Sequence, residues 1–460
     1  MLFYTLARVS RHNFARKNDM ENTQTIQQTA QKGRMLLSLA DRHWQQLRSL
    51  REKRTRNRNY TYGNQWCDTV SDEFGNRMSE YELLRQSGKE PLSNNLIRQL
   101  VKSVVGRFRS GLPESEQAPG LNELDSRLME EFLISGCCFQ KIGHADGTAR
   151  IENVAPDHIL LNPVTDPLGR DCSLIGQLHD LPPADIIRLH ANGSRRRAEA
   201  IARLLKPADD AGECPEMMRS RKTGCLRVLE LWTRESREGY EWHDTERGEW
   251  LFATTPPDNP ATGLRWTLRS VWRCHWLTAG AGIISQYDSP FAHRQHPYAF
   301  KLYPLVDGEI HSLVEDVIDQ QKYVNRLITL VDHIMGASAK GVLLYPDDIL
   351  PEGYNWDDLR YAWSKPNAII PYHPRCSTDK PQQIATNATN IGAYEMLNLQ
   401  MRLFEQISGV SGALQGQQAS GNVGAKLYES QIANSSIALS DLFESFESFR
   451  RDRDLKLRQL

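Results

Sequence analysis

Ile391-Gly-Ala-Tyr-Glu-Met-Leu-Asn-Leu-Gln-Met-Arg-Leu-Phe-Glu-Gln-Ile-Ser408, continued by Gly409-Val-Ser-Gly-Ala-Leu-Gln-Gly-Gln-Gln-Ala-Ser-Gly-Asn422, is the stretch whose reading decides the fold. Tyr394, Leu397, Met401, Phe404 and Ile407 recur at three- and four-residue steps, which places them on one stripe of a helix. The stripe then stops, and four glycines follow among Ser, Gln and Asn, giving a free backbone with polar, uncharged side chains. From Val423 the helical pattern resumes through Leu427, Ile432, Leu439, Leu442, Phe443, Phe446 and Phe449. A glycine-rich loop before a helix raises the question of phosphate binding. A P-loop requires Lys-Ser or Lys-Thr directly after its last glycine, and Gly421-Asn-Val-Gly-Ala-Lys426 does not supply it. No strand precedes the loop, so the dinucleotide fingerprint fails on context. A pliable connector between two core helices is the plainer reading.

Upstream lies the strongest helical pattern of the chain. Ile310, Leu313, Val314, Val317, Ile318, Val324, Leu327, Ile328, Val331, Ile334 and Met335 keep the period, and Gln321 alone takes an apolar slot. Two long helices thus bracket an insert with strand-like Gly341-Val-Leu-Leu-Tyr345 and Ala368-Ile-Ile-Pro-Tyr372 around Trp356 and Trp363. Before them, Leu226 to Gln286 reads as an antiparallel sheet, with strands at Leu226–Trp232, Tyr240–Trp242, Trp250–Phe252 and Leu268–Trp276. Leu121 to Phe139 reads as helix, Ala149–Val154 and His158–Leu161 as strands, and Leu181-Pro-Pro opens a further helix. Gln27 to Asn57 is helical with a basic end whose arginines read as a solvated face or a partner-binding patch. Residues Met1 to Asp19, arginine-rich with little acid, imitate a transit peptide. With Met20 as a second possible start, they read as a disordered or over-long leader.

Composition narrows the function classes. At 460 residues the chain has room for two to four packed units. Its 40% hydrophobic and 25% charged content, with mean hydropathy −0.55, is that of a globular protein. The net charge of −1 gives it no overall reason to grip nucleic acid, so any DNA contact is local or weak. Eight cysteines show no Cys-x-x-Cys pair and read as free thiols. His293 and His296 lack a foreseeable third ligand, so no metal and no cofactor is expected. An enzyme, such as a nuclease, would need clustered acids, a metal set or a phosphate loop, and none survives its context; a non-channel assembly scaffold is the other alternative.

With these parts in order the sequence resembles the portal proteins of tailed double-stranded DNA phages, in the podovirus-type branch. The resemblance runs from about Asn59 to Leu460. It is carried by Tyr62-Gly-Asn-Gln-Trp66, Pro91-Leu-Ser-Asn-Asn-Leu-Ile97, Asn162-Pro163, Asp166-Pro167, Glu230-Leu-Trp232, Ser289-Pro-Phe291, His296-Pro-Tyr298, Asp316 to Asn325, and Ser408 to Gly416. It implies an α+β portal fold, not an enzyme. Its expected parts are a leader (1–19), a helical part of the wing (20–120), an α/β wing (121–308), a first stem helix (309–336), a clip (337–389), a second stem helix (390–407), a tunnel loop (408–422), and a long helix (423–460) toward a crown. It further implies a ring, of twelve subunits in this family, at one capsid vertex of the virion, assembled in the bacterial cytoplasm. The ring passes duplex DNA and meets the terminase large subunit, a tail adaptor, and capsid or scaffolding protein, with no membrane. By position, Gln415, Gly416, Gln417, Gln418, Ser420, Gly421, Asn422 and Lys426 would face DNA. Val317, Gln321, Val324, Ile328, Met401 and Phe404 would meet neighbouring subunits, and Tyr345, Trp356 and Trp363 of the clip would meet partners.

Overall fold

The computed structural model describes residues 27–72, 74–112, 120–145, 148–205, 214–244, 248–256, 263–338, 342–344, 353, 355–358, 382–384, 391–410, 437 and 439–459. The chain forms two compact units. One comprises residues up to 61, 99–316 and 409 onward; the other comprises 62–98 and 317–408.

The larger unit opens with helices α1 (27–46) and α2 (Arg48–Tyr62). The small unit then contributes a hairpin, β1 (Thr69–Ser71) with β2 (Arg77–Ser79), and α3 (Glu80–Gln86). The start of α3 is set by a capping box: Ser79 Oγ accepts from Glu82 N, and the Glu82 carboxylate accepts from Ser79 N. Helices α4 (Leu96–Ser110) and α5 (Leu121–Ser135) follow.

The sequence pattern carries α5 to Phe139, but the helix ends at Ser135. Gly136 takes φ of 70°, and a Cβ there would meet the Tyr303 carbonyl at 2.8 Å. The glycine therefore turns the chain, and Cys137, Cys138 and Phe139 pass into strand β3 (Cys137–Ala145). Strand β3 is the centre of a three-stranded antiparallel sheet, between β4 (Thr148–Asn153) and β11 (Tyr298–Leu302).

The main sheet is antiparallel in the order β10-β9-β7-β6-β5, built from β5 (Ile159–Leu161), β6 (Leu174–Leu181), β7 (Leu226–Asp244), β9 (Arg265–Leu277) and β10 (Ile283–Asp288). Helices α6 (Pro183–His190) and α7 (Arg195–Leu204) lie between β6 and β7 in sequence. Strand β7 is longer than its sequence pattern suggested. One of its edges is shared between β6, along Leu226–Thr233, and the short β8 (Glu249–Ala253), along Tyr240–Asp244. Alternation along β7 sends Val228 and Trp232 into a core with Cys137, Phe139, Cys274 and Tyr298, while Leu229 and Leu231 pack with Leu36, Leu37, Met217 and Met218. The sheet is thus buried on both faces at that end.

The chain's last described helix, α10 (Ser440–Arg458), follows α8 (Leu313–Ser338) and α9 (Ile391–Ser408) of the stem pattern. The first of these starts at Leu313 rather than Glu309, because Val306 and Glu309 bridge to each other and Ser312 Oγ accepts from Glu315 N as its cap. In the insert, β12 (Val342–Leu344) pairs with β13 (Gln382–Ile384). The strand expected at 368–372 lies outside the described residues.

Candidate subunit-contact surfaces

The face of α8 that the sequence marked as irregular is a row of polar anchors. Gln321, Asn325 and Thr329 stand four residues apart, on one side of the helix, and all three are buried. Gln321 Oε1 accepts from Leu96 N (2.9 Å) and Ile97 N (3.2 Å), the first free amides of α4, so it serves as a remote cap for that helix. Its Nε2 donates to Asn94 O at 2.7 Å and Asn325 Oδ1 at 2.9 Å. Asn325 Oδ1 also accepts from Asn94 N, its Nδ2 donates to Gln65 Oε1, and Thr329 Oγ1 accepts from Leu92 N. One position further round the helix, Lys322 Nζ donates to Asp68 and Arg326 to Glu80. The Pro91–Ile97 and Asp316–Asn325 motifs are therefore the two halves of one polar zipper.

Three of the residues expected to meet a neighbouring subunit lie along this helix. Val317, Gln321 and Val324 are each 0% exposed within a single chain, so they belong to its own interior. Phe404 is likewise buried and Ile328 half-buried. Met401 is exposed. It joins Tyr323, Leu330 and Met335 of α8 and Tyr394, Met396, Leu399 and Ile407 of α9, all between 39% and 53% exposed. The two helices meet where the Tyr394 hydroxyl lies 3.9 Å from Met335 Sδ. Of the expected clip residues, Trp356 is exposed; Tyr345 and Trp363 lie outside the described residues, as do Gln415, Gly416, Gln417, Gln418, Ser420, Gly421, Asn422 and Lys426.

In the larger unit, ionisable groups that sequence reading left unassigned are structural. Glu230 is buried and accepts from Lys141 Nζ (2.5 Å), His179 Nε2 (2.8 Å) and Trp232 Nε1 (3.0 Å). Burial alone would raise its pKa, but the Lys141 ammonium and His179 outweigh that and hold the carboxylate well below its usual range. Arg54, in the run read as a solvated face, is buried and held by Glu131 and Asp157. Among the described residues no group of three or more His, Cys, Asp or Glu could hold a metal. His296 instead packs edge-on against Trp272, and its Nδ1 accepts from Tyr298 N. Burial drives its pKa far down, so the ring stays neutral.

The family model of the phage P22-like portal proteins matches residues 129–453 of the 460. The chain belongs to that family. The match covers the two-sheet body, the helix pair and the C-terminal helix of this portal protein, so the resemblance read from the ordered motifs holds over most of its length. No curated protein matches the chain. Among the described residues, no helix of the portal protein is long and apolar enough to cross a membrane.

Proposed function

We propose that the protein is the ring-forming conduit at one capsid vertex through which duplex DNA is packaged and later ejected, and on which the terminase motor and tail adaptor dock. The observation that carries this reading is the set of exposed Tyr, Leu, Met and Ile side chains on α8 and α9 of a chain of the portal family. Large apolar side chains left open to solvent mark surfaces that a partner covers, and head-to-tail contact between copies covers them while closing a ring. In this reading Met401 and Ile328 meet a neighbouring copy.

A conduit must touch a polyanion without holding it. Duplex DNA carries one charge per ~1.7 Å, and a wall dense in Lys and Arg would release counterions and bind tightly. The near-neutral subunit and the uncharged Gln415–Asn422 stretch of sequence, with Lys426 as a sparse cation, favour weak and exchangeable contacts instead. Tyr345, Trp356 and Trp363 are proposed to meet the motor and adaptor. Electron microscopy of purified protein tests the reading: closed rings, twelve-fold in this proposal, with a central hole of duplex width are expected, and sedimentation showing only monomers at high concentration would overturn it.

A further inference from the structure

Strands β7, β8 and β9 run past the two-sided core as a three-stranded extension whose faces differ. On one face Arg265 lies 4.8 Å over the Trp250 ring, Arg269 lies 4.8 Å over the Phe252 ring, and both guanidinium groups donate to the Glu241 carboxylate. That face is satisfied within the chain. The register gives the other face Tyr240 with Trp266 and Ala253 in one row, Trp242 with Leu251 in the next, and Leu268 opposite Glu238 in the row before. Trp266 is 59% and Leu268 56% exposed, and the Glu238 beside them is exposed too. An aromatic knob with a carboxylate at its edge is left uncovered.

The opposite end of β9 carries a complementary hollow. At Gly33 a Cβ would overlap the Ala281 carbonyl, so α1 lies directly on the β9–β10 turn. Beside that contact Ala30, Leu204, Ala281 and Ile283 line a pocket of about 480 Å³, with the exposed Arg34 on its lining. An apolar cavity of ~150 Å³ already holds a benzene ring, so an indole fits with room to spare. Knob and hollow match in apolar character and are opposite in charge at their edges. They sit at the two ends of one strand, where neither can reach the other within a chain.

We propose that Trp266 of each copy inserts into the Ala30–Leu204–Ile283 pocket of the next copy, with Glu238 facing Arg34, as a second, head-to-tail contact of the ring. This rests on the ring reading and adds its wing-level contact. At ~3.3 Å per residue, Trp266 and the β9–β10 turn are roughly 40 Å apart, and that separation is the chord of the contact circle, giving a circle about 150 Å across for twelve copies.

The test is an Arg34→Cys, Glu238→Cys double variant of the full chain, which leaves the Trp266 knob in place, oxidised gently and run without reductant. Both positions are exposed, so folding is not at stake. Disulfides require Cα atoms within ~7 Å, which bars a bond inside one chain. The expected result is a ladder of covalent multimers, absent from either single variant and formed as dimers when the two single variants are mixed. Separately, Glu238→Arg or Arg34→Glu is expected to raise the concentration for half-assembly roughly tenfold, and the two together to recover most of it. Rings in the microscope without a ladder overturn the contact while leaving the conduit reading intact. A ladder without closed rings supports the contact and removes the conduit reading; neither rings nor ladder removes both. A ladder that forms only after deletion of residues 1–26 assigns the pocket to the chain's own N-terminal segment and overturns the proposal.

Discussion

Gln321 holds four hydrogen bonds in a position where the helical period calls for an apolar side chain. The period showed the exception, but three of the four bonds reach Asn94, Leu96 and Ile97, more than 220 residues earlier in the chain, and no local pattern encodes a cap delivered from that distance. The readable signal was the four-residue spacing of Gln321, Asn325 and Thr329. Gln321→Leu strips the cap from Leu96 and Ile97 and leaves Asn94 O and Asn325 Oδ1 short of a donor in the interior. A loss of about 2–3 kcal/mol is expected, read as a lower urea midpoint at unchanged m-value. The buried histidines give a second residue-scale test. Burial lowers the pKa of His190, His275 and His296 in the folded state. The unfolded chain therefore binds more protons once pH falls below about 6.5, and stability must fall with it. Glu230 adds to the loss in stronger acid, since its depressed pKa stabilises the fold above about pH 4.5 and that contribution is lost as it protonates. His296→Phe is expected to flatten the slope between pH 6.5 and 5 by up to about 1.4 kcal/mol per pH unit, measured by urea melts at each pH. An unchanged slope would mean that His296 already titrates normally in the folded protein.

Among the elements, α10 shows why a pattern can be right about a helix and silent about its role. Its apolar period through Leu442, Phe446 and Phe449 was legible, and those residues are buried, with Phe446 in ring contact with Phe108, Phe132 and Phe449. Its arginines lie off that apolar period, yet Arg453 is 1% exposed and donates from Nη1 to Asp125 Oδ1 at 2.5 Å, while Arg450 takes Oδ2 of the same carboxylate. Lys456 Nζ donates to Tyr298 O at the far end of the helix. Charge in a sequence marks a surface only until a partner from another element is known, and Arg54 with Glu131 repeats the lesson at α2. Element boundaries failed for a different reason. The stretch Ile134–Phe139, with Ser135 and Gly136 between its apolar residues, reads as helix throughout, and the left-handed backbone at Gly136 decides where helix becomes strand. Arg453→Met leaves the buried Asp125 carboxyl with one of its partners gone. A loss of about 3–5 kcal/mol is expected, with faster amide exchange along residues 440–458, and Asp125→Leu in the same chain is expected to recover much of it. Equal losses in the single and double variants would show that helix packing, not charge pairing, dominates.

For the whole molecule, the order of parts along the chain was legible where single motifs were weak, because two long helices around a small insert followed by a polar glycine-rich segment is a rare sequence of elements. What the pattern could not apportion is which apolar residues serve the subunit and which await a neighbour. Burial separates them: Val317 and Val324 are interior, whereas Tyr323, Leu330, Met335, Tyr394 and Leu399 are open to solvent in a single chain. The two groups make opposite predictions. Val324→Ala removes buried methyl groups and is expected to cost the subunit of order 2 kcal/mol, measured as a lower urea midpoint, while assembled rings still form below that midpoint. Tyr394→Ser with Leu399→Ser removes side chains already 50% exposed in a single chain, together with the Tyr394–Met335 contact, so a loss of no more than about 1 kcal/mol is expected from its urea midpoint. If these side chains are covered by the next copy, each withheld burial weakens the contact by about 1.5–3 kcal/mol, enough to shift the assembly midpoint by more than tenfold for the pair. Sedimentation velocity across a concentration series separates the cases. Rings that persist in the double variant at wild-type concentrations would place the inter-subunit contact elsewhere than on Tyr394 and Leu399, and would leave those side chains to be covered by something other than a second copy.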